Sequence, residues 1–138
     1  MIAAAFLMSA ISVDNTLSIG KNAPTIETID GIDVVNNLNA EGKTKVINFW
    51  NPKKPSSRIA LKEISRKFLN DGSDIEIINI CTDSDSILMK EVMKIDDMKT
   101  SHNYSYSQID ARVFKDYDVE NHPRSFMVSS EGKIIDIL

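Results

Sequence analysis

The clearest pattern of apolar and polar positions lies near the middle of the chain. Val46–Trp50 is a run of β-branched, aromatic and other apolar residues of strand length, and a cluster of Pro, Ser and Lys follows it. From Leu61 the apolar spacing becomes helical, with Leu61, Ile64 and Phe68 on one face. The pattern therefore predicts a buried strand that leads through a loop into the N terminus of a helix.

This helix is expected to begin near Pro55 or Ser56 and to end near Asn70, just before a glycine. Ile75–Cys81 is the next apolar run of strand length, and residues 82–85 (Thr-Asp-Ser-Asp) are typical of a helix start. A second helix should follow. Its residues at helical spacing are Ile87, Leu88, Glu91, Val92 and Ile95.

Shorter elements are predicted on either side of this core. Residues 25–29 contain the β-branched residues of a short strand, and 109–117 has the spacing of a short helix. Phe126–Val128 and Lys133–Leu138 should pair as an antiparallel hairpin around Glu131-Gly132. Strands alternating with helices in this order predict an α/β layered domain with right-handed crossovers.

Two segments also carry a family resemblance. Asn48-Phe49-Trp50 together with Arg58 resembles the N-F-W-A-x-W-C-x-x-C-R signature of bacterial thioredoxin-like thiol-disulfide oxidoreductases. Tyr117–Val128 is similar to that family's Y-G-V-x-x-x-P-T-x-F-L-I. The chain thus resembles the TlpA-like and AhpC/TSA-like branch of the thioredoxin-like superfamily. This implies a three-layer α/β fold with a central mixed sheet and helices on both faces, here without the family's last helix.

The resemblance also implies that the family's chemistry is altered. Its two cysteine positions fall on Lys54 and Ser57, and its glutamate falls on Ala60. Thiol-disulfide exchange needs an attacking thiolate and a second, resolving thiol, and these side chains supply neither. We therefore expect no catalytic residue and no cofactor. Pro123 matches the family's cis proline, so a cis bond is expected there.

Composition and charge narrow the classes of function. With 138 residues the chain is expected to form one domain over residues 19–138, after an apolar segment and linker over 1–18. Met1–Ile11 has the length of a signal-peptide core, which suggests an exported, periplasmic or membrane-associated protein. The alternatives are that the segment is a frayed tail or a helix that docks on the domain, and that the protein is cytoplasmic. The net charge of -4 argues against nucleic-acid binding.

Cys81 is the only cysteine, which rules out an intramolecular disulfide or a thiolate metal site. Because Cys81 ends an apolar strand, we interpret it as a small core residue. A hydrolase with Ser56 or Ser57 as nucleophile and His122 as base is disfavoured, since no G-x-S-x-G motif is present. No metal site is expected.

A surface for binding is the remaining hypothesis. Basic side chains near a helix N terminus would favour an anion or an acidic peptide, and the residues before Pro123 could dock an extended peptide. The expected surface consists of Trp50, Lys53, Arg58, His122, Pro123 and Arg124.

The sequence thus favours a non-catalytic, thioredoxin-like binding module of an exported bacterial protein, with a protein or peptide partner. A thiol-disulfide oxidoreductase or peroxidase that uses Cys81 is the alternative. A homo-oligomer that covers the exposed sheet face is a third, structural hypothesis.

Overall fold

The computed structural model describes residues 17–35, 43–70, 74–98 and 102–138. Most of the predicted segment 1–18 lies outside these ranges. Within them the chain alternates strands and helices. The elements are β1 (Thr44–Trp50), α1 (Pro55–Asn70), β2 (Ile75–Cys81), α2 (Ser86–Ile95), β3 (His102–Tyr104), a 3-10 turn (Tyr106–Gln108), α3 (Ala111–Asp116), β4 (Ser125–Val128) and β5 (Ile134–Ile137).

The described strands form one mixed sheet in the order β3-β2-β1-β4-β5. β1, β2 and β3 run parallel, whereas β4 is antiparallel to both β1 and β5. Helical crossovers join the parallel strands, as parallel pairing requires. The predicted α/β layered fold and the predicted hairpin are confirmed.

The helix α1 forms where the apolar spacing predicted it. Leu61 and Phe68 are buried and Ile64 is half-buried, so the predicted face packs on the sheet. The start at Pro55 places proline in the first turn, where its missing N–H leaves no helical hydrogen bond unmade. In the described part of the chain, no helix is long and apolar enough to cross a lipid bilayer.

The helix α2 begins as predicted but packs through other residues. The side chain of Asp85 accepts a hydrogen bond from the Leu88 N–H at 3.0 Å, which caps the helix. Val92 is buried, but Ile87 and Ile95 are 75% and 72% exposed. Of the five residues expected at helical spacing, only Val92 is fully buried, because Met89 and Val92 form the side of α2 that faces the sheet.

The two faces of the sheet carry different cores. On the first face, which we call the α3 face, one continuous cluster includes Phe49, Ile78, Phe126 and Tyr117. The ring of Phe49 lies 4.9 Å from that of Tyr117 and 6.1 Å from that of Phe126. The opposite face is covered by α1 and α2 and is called the helix-pair face. Its buried apolar residues fall into two separate clusters.

A row of polar side chains lies between those two clusters. Asn48 of β1, Asn79 of β2 and Asn103 of β3 are partners in the sheet register, and Ser125 of β4 is the partner of Asn48. The Asn48 Nδ2 donates to Asn79 Oδ1 at 2.9 Å, and Asn79 Nδ2 donates to Asn103 Oδ1 at 3.0 Å. We call these three residues the asparagine row. It crosses the sheet beneath the helix pair.

The segment before β1 forms turns rather than the predicted strand at 25–29. Only isolated bridges are made there, from Glu27 to Asp33 and from Thr28 to Ile109. The Thr28 N–H donates to Ile32 O at 2.9 Å, and Gly31 adopts a φ of 82° within that turn. The tight turn ends the extended stretch, so the strand prediction was wrong in extent although Ile26 is buried.

Candidate functional site

The loop between β1 and α1 is held by its own hydrogen bonds. The Asn51 N–H donates to Ser57 Oγ at 2.9 Å, and the Lys53 N–H donates to Asn51 Oδ1 at 2.9 Å. The Ser57 N–H donates to Lys54 O at 3.0 Å. The structure thus places Lys54 directly before α1 and Ser57 in its first turn, three residues apart. Ser57 fastens the loop to the helix.

Lys54 also connects this loop to the segment before β4. Its Nζ donates to the backbone carbonyl of Asn121 at 3.1 Å. The neighbouring His122 is exposed, whereas Pro123 is half-buried. The expected surface combined residues of the β1–α1 loop with residues around Pro123. These two segments do lie side by side, and Lys54 joins them.

The expected cis bond at Pro123 was wrong. No cis peptide bond occurs among the described residues, so the His122–Pro123 bond is trans. Even before proline, the trans isomer is more stable than the cis isomer by about 0.5–1 kcal/mol.

Three of the basic side chains expected at this surface each lie near a carboxylate. Arg58 Nε and Nη2 donate to the two carboxylate oxygens of Asp96 at 2.9 and 2.8 Å. Lys53 lies 3.3 Å from Asp83. Arg124 lies 3.9 Å from Asp118 and 5.2 Å from the centre of the Phe126 ring. Nearby carboxylates thus offset part of the positive charge that the sequence suggested.

Asp96 follows the last residue of α2, where the helix dipole disfavours a carboxylate. Hydrogen bonding to Arg58 holds its pKa below the ordinary 3.8, with help from Lys62, whose Nζ lies 3.1 Å away. The Asp96 side chain is only 4% exposed. This residue joins α1 to α2, and its role was missed in the sequence because no motif marks it.

Four of the residues expected at the site line one small cavity. Trp50, Ser57, Pro123 and Arg124 surround a space of about 90 Å³ between α1 and the adjoining ends of β1 and β4. Asn48 lines it as well. Lys53, Lys54, Arg58 and His122 do not line this cavity. The expected surface is thus divided into a buried part and an exposed part.

Cys81 lies in the core of the helix-pair face. It is fully buried, contacts the cluster of Trp50 and Met89, and its Sγ donates to the backbone carbonyl of Asp83 at 3.4 Å. Burial raises the pKa of the thiol from 9.0 to about 11, helped by the charges of Asp83 and Asp85. The thiol is therefore protonated at neutral pH, which disfavours nucleophilic chemistry.

The comparisons with known proteins agree with this architecture. No family model matches the sequence, and no curated protein matches it. Many solved structures do match, and they define the class: this is a thioredoxin-like fold, and its neighbours are thioredoxin-like thiol-disulfide oxidoreductases. The resemblance seen in the sequence is confirmed at the level of the fold, and the single cysteine agrees with the missing C-x-x-C motif.

Three of the similar structures illustrate the degree of sequence identity and structural overlap. A thioredoxin-like protein from Parabacteroides distasonis is 24% identical with a TM-score of 0.73, covering 88% of this chain and 87% of that one. The thioredoxin domain of a thiol-disulfide oxidoreductase from Bacteroides vulgatus is 23% identical with a TM-score of 0.65, covering 88% and 89%. A secreted disulfide oxidoreductase from Mycobacterium tuberculosis is 19% identical with a TM-score of 0.61, covering 83% and 81%.

Proposed function

We propose that this domain is a non-catalytic, thioredoxin-like binding module of an exported bacterial protein. The proposal is carried by the N terminus of α1. Lys54 and Ser57 stand there three residues apart, at the spacing of a C-x-x-C pair, and neither carries sulfur. The one thiol of the chain, Cys81, is buried in a strand and has a pKa of about 11. Neither an accessible thiolate nor a resolving thiol is supplied.

A binding role is supported by the loops that remain. Lys54 holds Asn121 through its backbone carbonyl, which fixes the segment 119–124 beside the start of α1. His122 is exposed at the tip of this segment. An ordered, exposed backbone next to a lysine and a histidine suits an extended, acidic peptide, bound by main-chain hydrogen bonds.

Export is supported by the structural neighbours. One of them is described as secreted, and another as a thiol:disulfide interchange protein of the DsbE type. Met1–Ile11 has the apolar character of a signal-peptide core. Fractionation of cells that produce the full-length protein tests this part, and recovery of the whole pool in the cytoplasm would contradict it.

The redox part is tested by insulin reduction and peroxide consumption. We expect no turnover from the unmodified protein or from Cys81→Ser. The double variant Lys54→Cys, Ser57→Cys should gain dithiothreitol-dependent insulin reduction, because it restores two thiols at a helix N terminus. Turnover by the unmodified protein that disappears in Cys81→Ser would instead establish the oxidoreductase.

The binding part is tested by NMR titration with extended peptides of acidic, neutral and basic sequence. Saturable shifts confined to residues 51–58 and 119–124, strongest with the acidic peptide, are expected. Lys54→Glu should weaken that binding at least tenfold, while Lys90→Glu on exposed α2 serves as a matched charge control. Absence of saturable shifts with every peptide would contradict a peptide-binding module.

A further inference from the structure

A second cavity lies beside α3, beyond the carboxyl ends of β2 and β3. Its volume is about 390 Å³, and its lining includes Asp83, Ser84, Tyr106, Lys115 and Glu120. We call it the polar cleft. None of the described residues lines both this cleft and the small cavity beside α1. In α/β folds, ligands commonly bind beyond the carboxyl ends of parallel strands, because the loops that follow the strands converge there.

Hydrogen bonds fix the wall of the cleft that follows β2. Thr82 donates to the Trp50 carbonyl from its N–H at 2.8 Å and from its Oγ1 at 3.2 Å. The Asp83 carboxylate accepts from the Asp85 N–H at 2.9 Å and lies 3.3 Å from Lys53 Nζ. This wall is therefore ordered in the free protein, and little conformational entropy is lost there when a ligand binds.

Another wall of the cleft is aromatic. The ring of Tyr106 stacks on that of Phe114, with the ring centres 4.7 Å apart and the planes 25° from parallel. Phe114 is buried, whereas Tyr106 is 37% exposed. Part of the Tyr106 ring is thus open to a ligand. A guanidinium group binds such a ring by stacking and by cation–π attraction.

The charges that line the cleft favour a cation. They are the carboxylates of Asp83 and Glu120 and the amine of Lys115. Within the described ranges, neither Glu120 nor Lys115 forms an ion pair. Because Lys53 offsets the charge of Asp83, the Glu120 carboxylate is the main acceptor left for a positively charged group.

Glu120 also places the polar cleft beside the peptide site proposed above. It precedes Asn121, whose backbone carbonyl accepts from Lys54 Nζ at 3.1 Å, and consecutive Cα atoms are only about 3.8 Å apart. We propose that the polar cleft binds an arginine side chain of the peptide docked along residues 119–124, with its guanidinium on Tyr106 and donating to Glu120. This inference rests on the proposed function and adds one basic residue to the otherwise acidic partner.

An anion is the main rival ligand of the cleft. The Lys115 amine and the Ser84 hydroxyl would donate to it, but Asp83 and Glu120 would repel it. The two ligands predict opposite effects of charge. Removing the charge of Glu120 weakens binding of a cation and strengthens binding of an anion, and removing the charge of Lys115 does the reverse.

The test is an NMR titration of the unmodified protein with two acidic peptides that differ at one position, arginine or citrulline. Citrulline keeps the shape of arginine without its charge. With the arginine peptide we expect saturable shifts at residues 82–84, 106 and 115 as well as 119–124, and an affinity about fivefold higher than with citrulline. Glu120→Gln should remove this difference and Lys115→Gln should increase it. Glu131→Gln, exposed beyond the far end of β4, is the matched control and should leave it unchanged.

Equal affinities for the two peptides, with no shifts at 82–84 and 106, would overturn this inference and leave the proposed function standing. If neither peptide binds, the proposed function fails, and N-acetylarginine methylamide tests the cleft alone. Saturable shifts at 82–84 and 106 with that probe would support an arginine site, and their absence would overturn it. Saturable shifts there with inorganic phosphate, weakened by Lys115→Gln, would show an anion site instead.

Discussion

The two faces of the sheet bury their side chains in different ways. The α3 face is one uninterrupted apolar cluster around the rings of Phe49, Tyr117 and Phe126. The helix-pair face divides its apolar residues into two clusters, with the asparagine row between them and the Arg58–Asp96 pair holding its helices together. Apolar burial dominates the first face. The second combines burial with directional hydrogen bonds, and it is also the face behind the candidate site.

The largest expected loss of stability comes from substituting two adjacent residues of β2. Ile78 of β2 points into the α3 face and Ile77 into the helix-pair face, and both are buried. Ile78→Ala should lower the free energy of unfolding by about 4 kcal/mol and Ile77→Ala by about 2 kcal/mol, within the range for buried isoleucine. The smaller cluster around Ile77 can relax more readily. Urea denaturation measures both, and equal losses would contradict the comparison.

The asparagine row gives the next largest effect. Asn79→Ala takes the acceptor from the buried Asn48 amide and removes the hydrogen bond that Asn79 donates to Asn103, so a loss of about 2–3 kcal/mol is expected. The double variant Asn48→Val, Asn79→Val should cost less than the sum of the two single variants, because a matched apolar pair leaves fewer unpaired groups. Thermal and urea unfolding measure this coupling. Strict additivity would mean that the row is not a unit.

The Arg58–Asp96 pair predicts a pH dependence. Because the folded pKa of Asp96 lies below its ordinary value of 3.8, its contribution to stability is present above that value. The contribution is lost as the pH falls through the folded pKa. Asp96→Asn should therefore cost on the order of 1 kcal/mol at neutral pH and little in strong acid. Urea midpoints of both proteins across this range test it. A pH-independent difference would be the contrary result.

The smallest effect concerns reactivity rather than stability. With a pKa of about 11, Cys81 has roughly one thiolate in ten thousand at neutral pH. Iodoacetamide should label the folded protein very slowly, with a rate that rises toward alkaline pH. The unfolded protein in urea is the control and should react rapidly. Fast labelling of the folded state would show that the helix-pair face opens around Cys81.

The sequence predicted most of the fold because its signals were local. Val46–Trp50 and Ile75–Cys81 are mostly apolar runs, and Asp85 is a standard helix cap, so their structures follow from short-range patterns. The α2 face was harder to predict, since exposed Ile87 and buried Met89 lie only two positions apart and hydropathy alone cannot rank them. Tertiary packing made that choice.

The site was predicted less completely, because its geometry also depends on tertiary contacts between distant parts of the chain. Similarity to a family placed Lys54 beside the segment before Pro123, and the structure brings Trp50, Ser57, Pro123 and Arg124 around one cavity. The acidic partners of the basic residues could not be predicted, since Asp96 is 38 residues from Arg58. Two members of the asparagine row could be seen in the sequence, because Asn48 and Asn79 are each the one Asn within an apolar run.

Those lone asparagines also limit how the strands can align. Alternating side chains forbid a one-residue shift of β2 along β1, because every apolar group would change sides. A two-residue shift keeps the sides and would still place apolar residues opposite apolar residues on the α3 face. It would, however, bring Asn79 opposite Val46 or Trp50 and break the buried hydrogen bond between Asn48 and Asn79. The hydrogen bond between Asn48 and Asn79 thus favours the observed alignment of β1 and β2 over a shift of two residues in either direction.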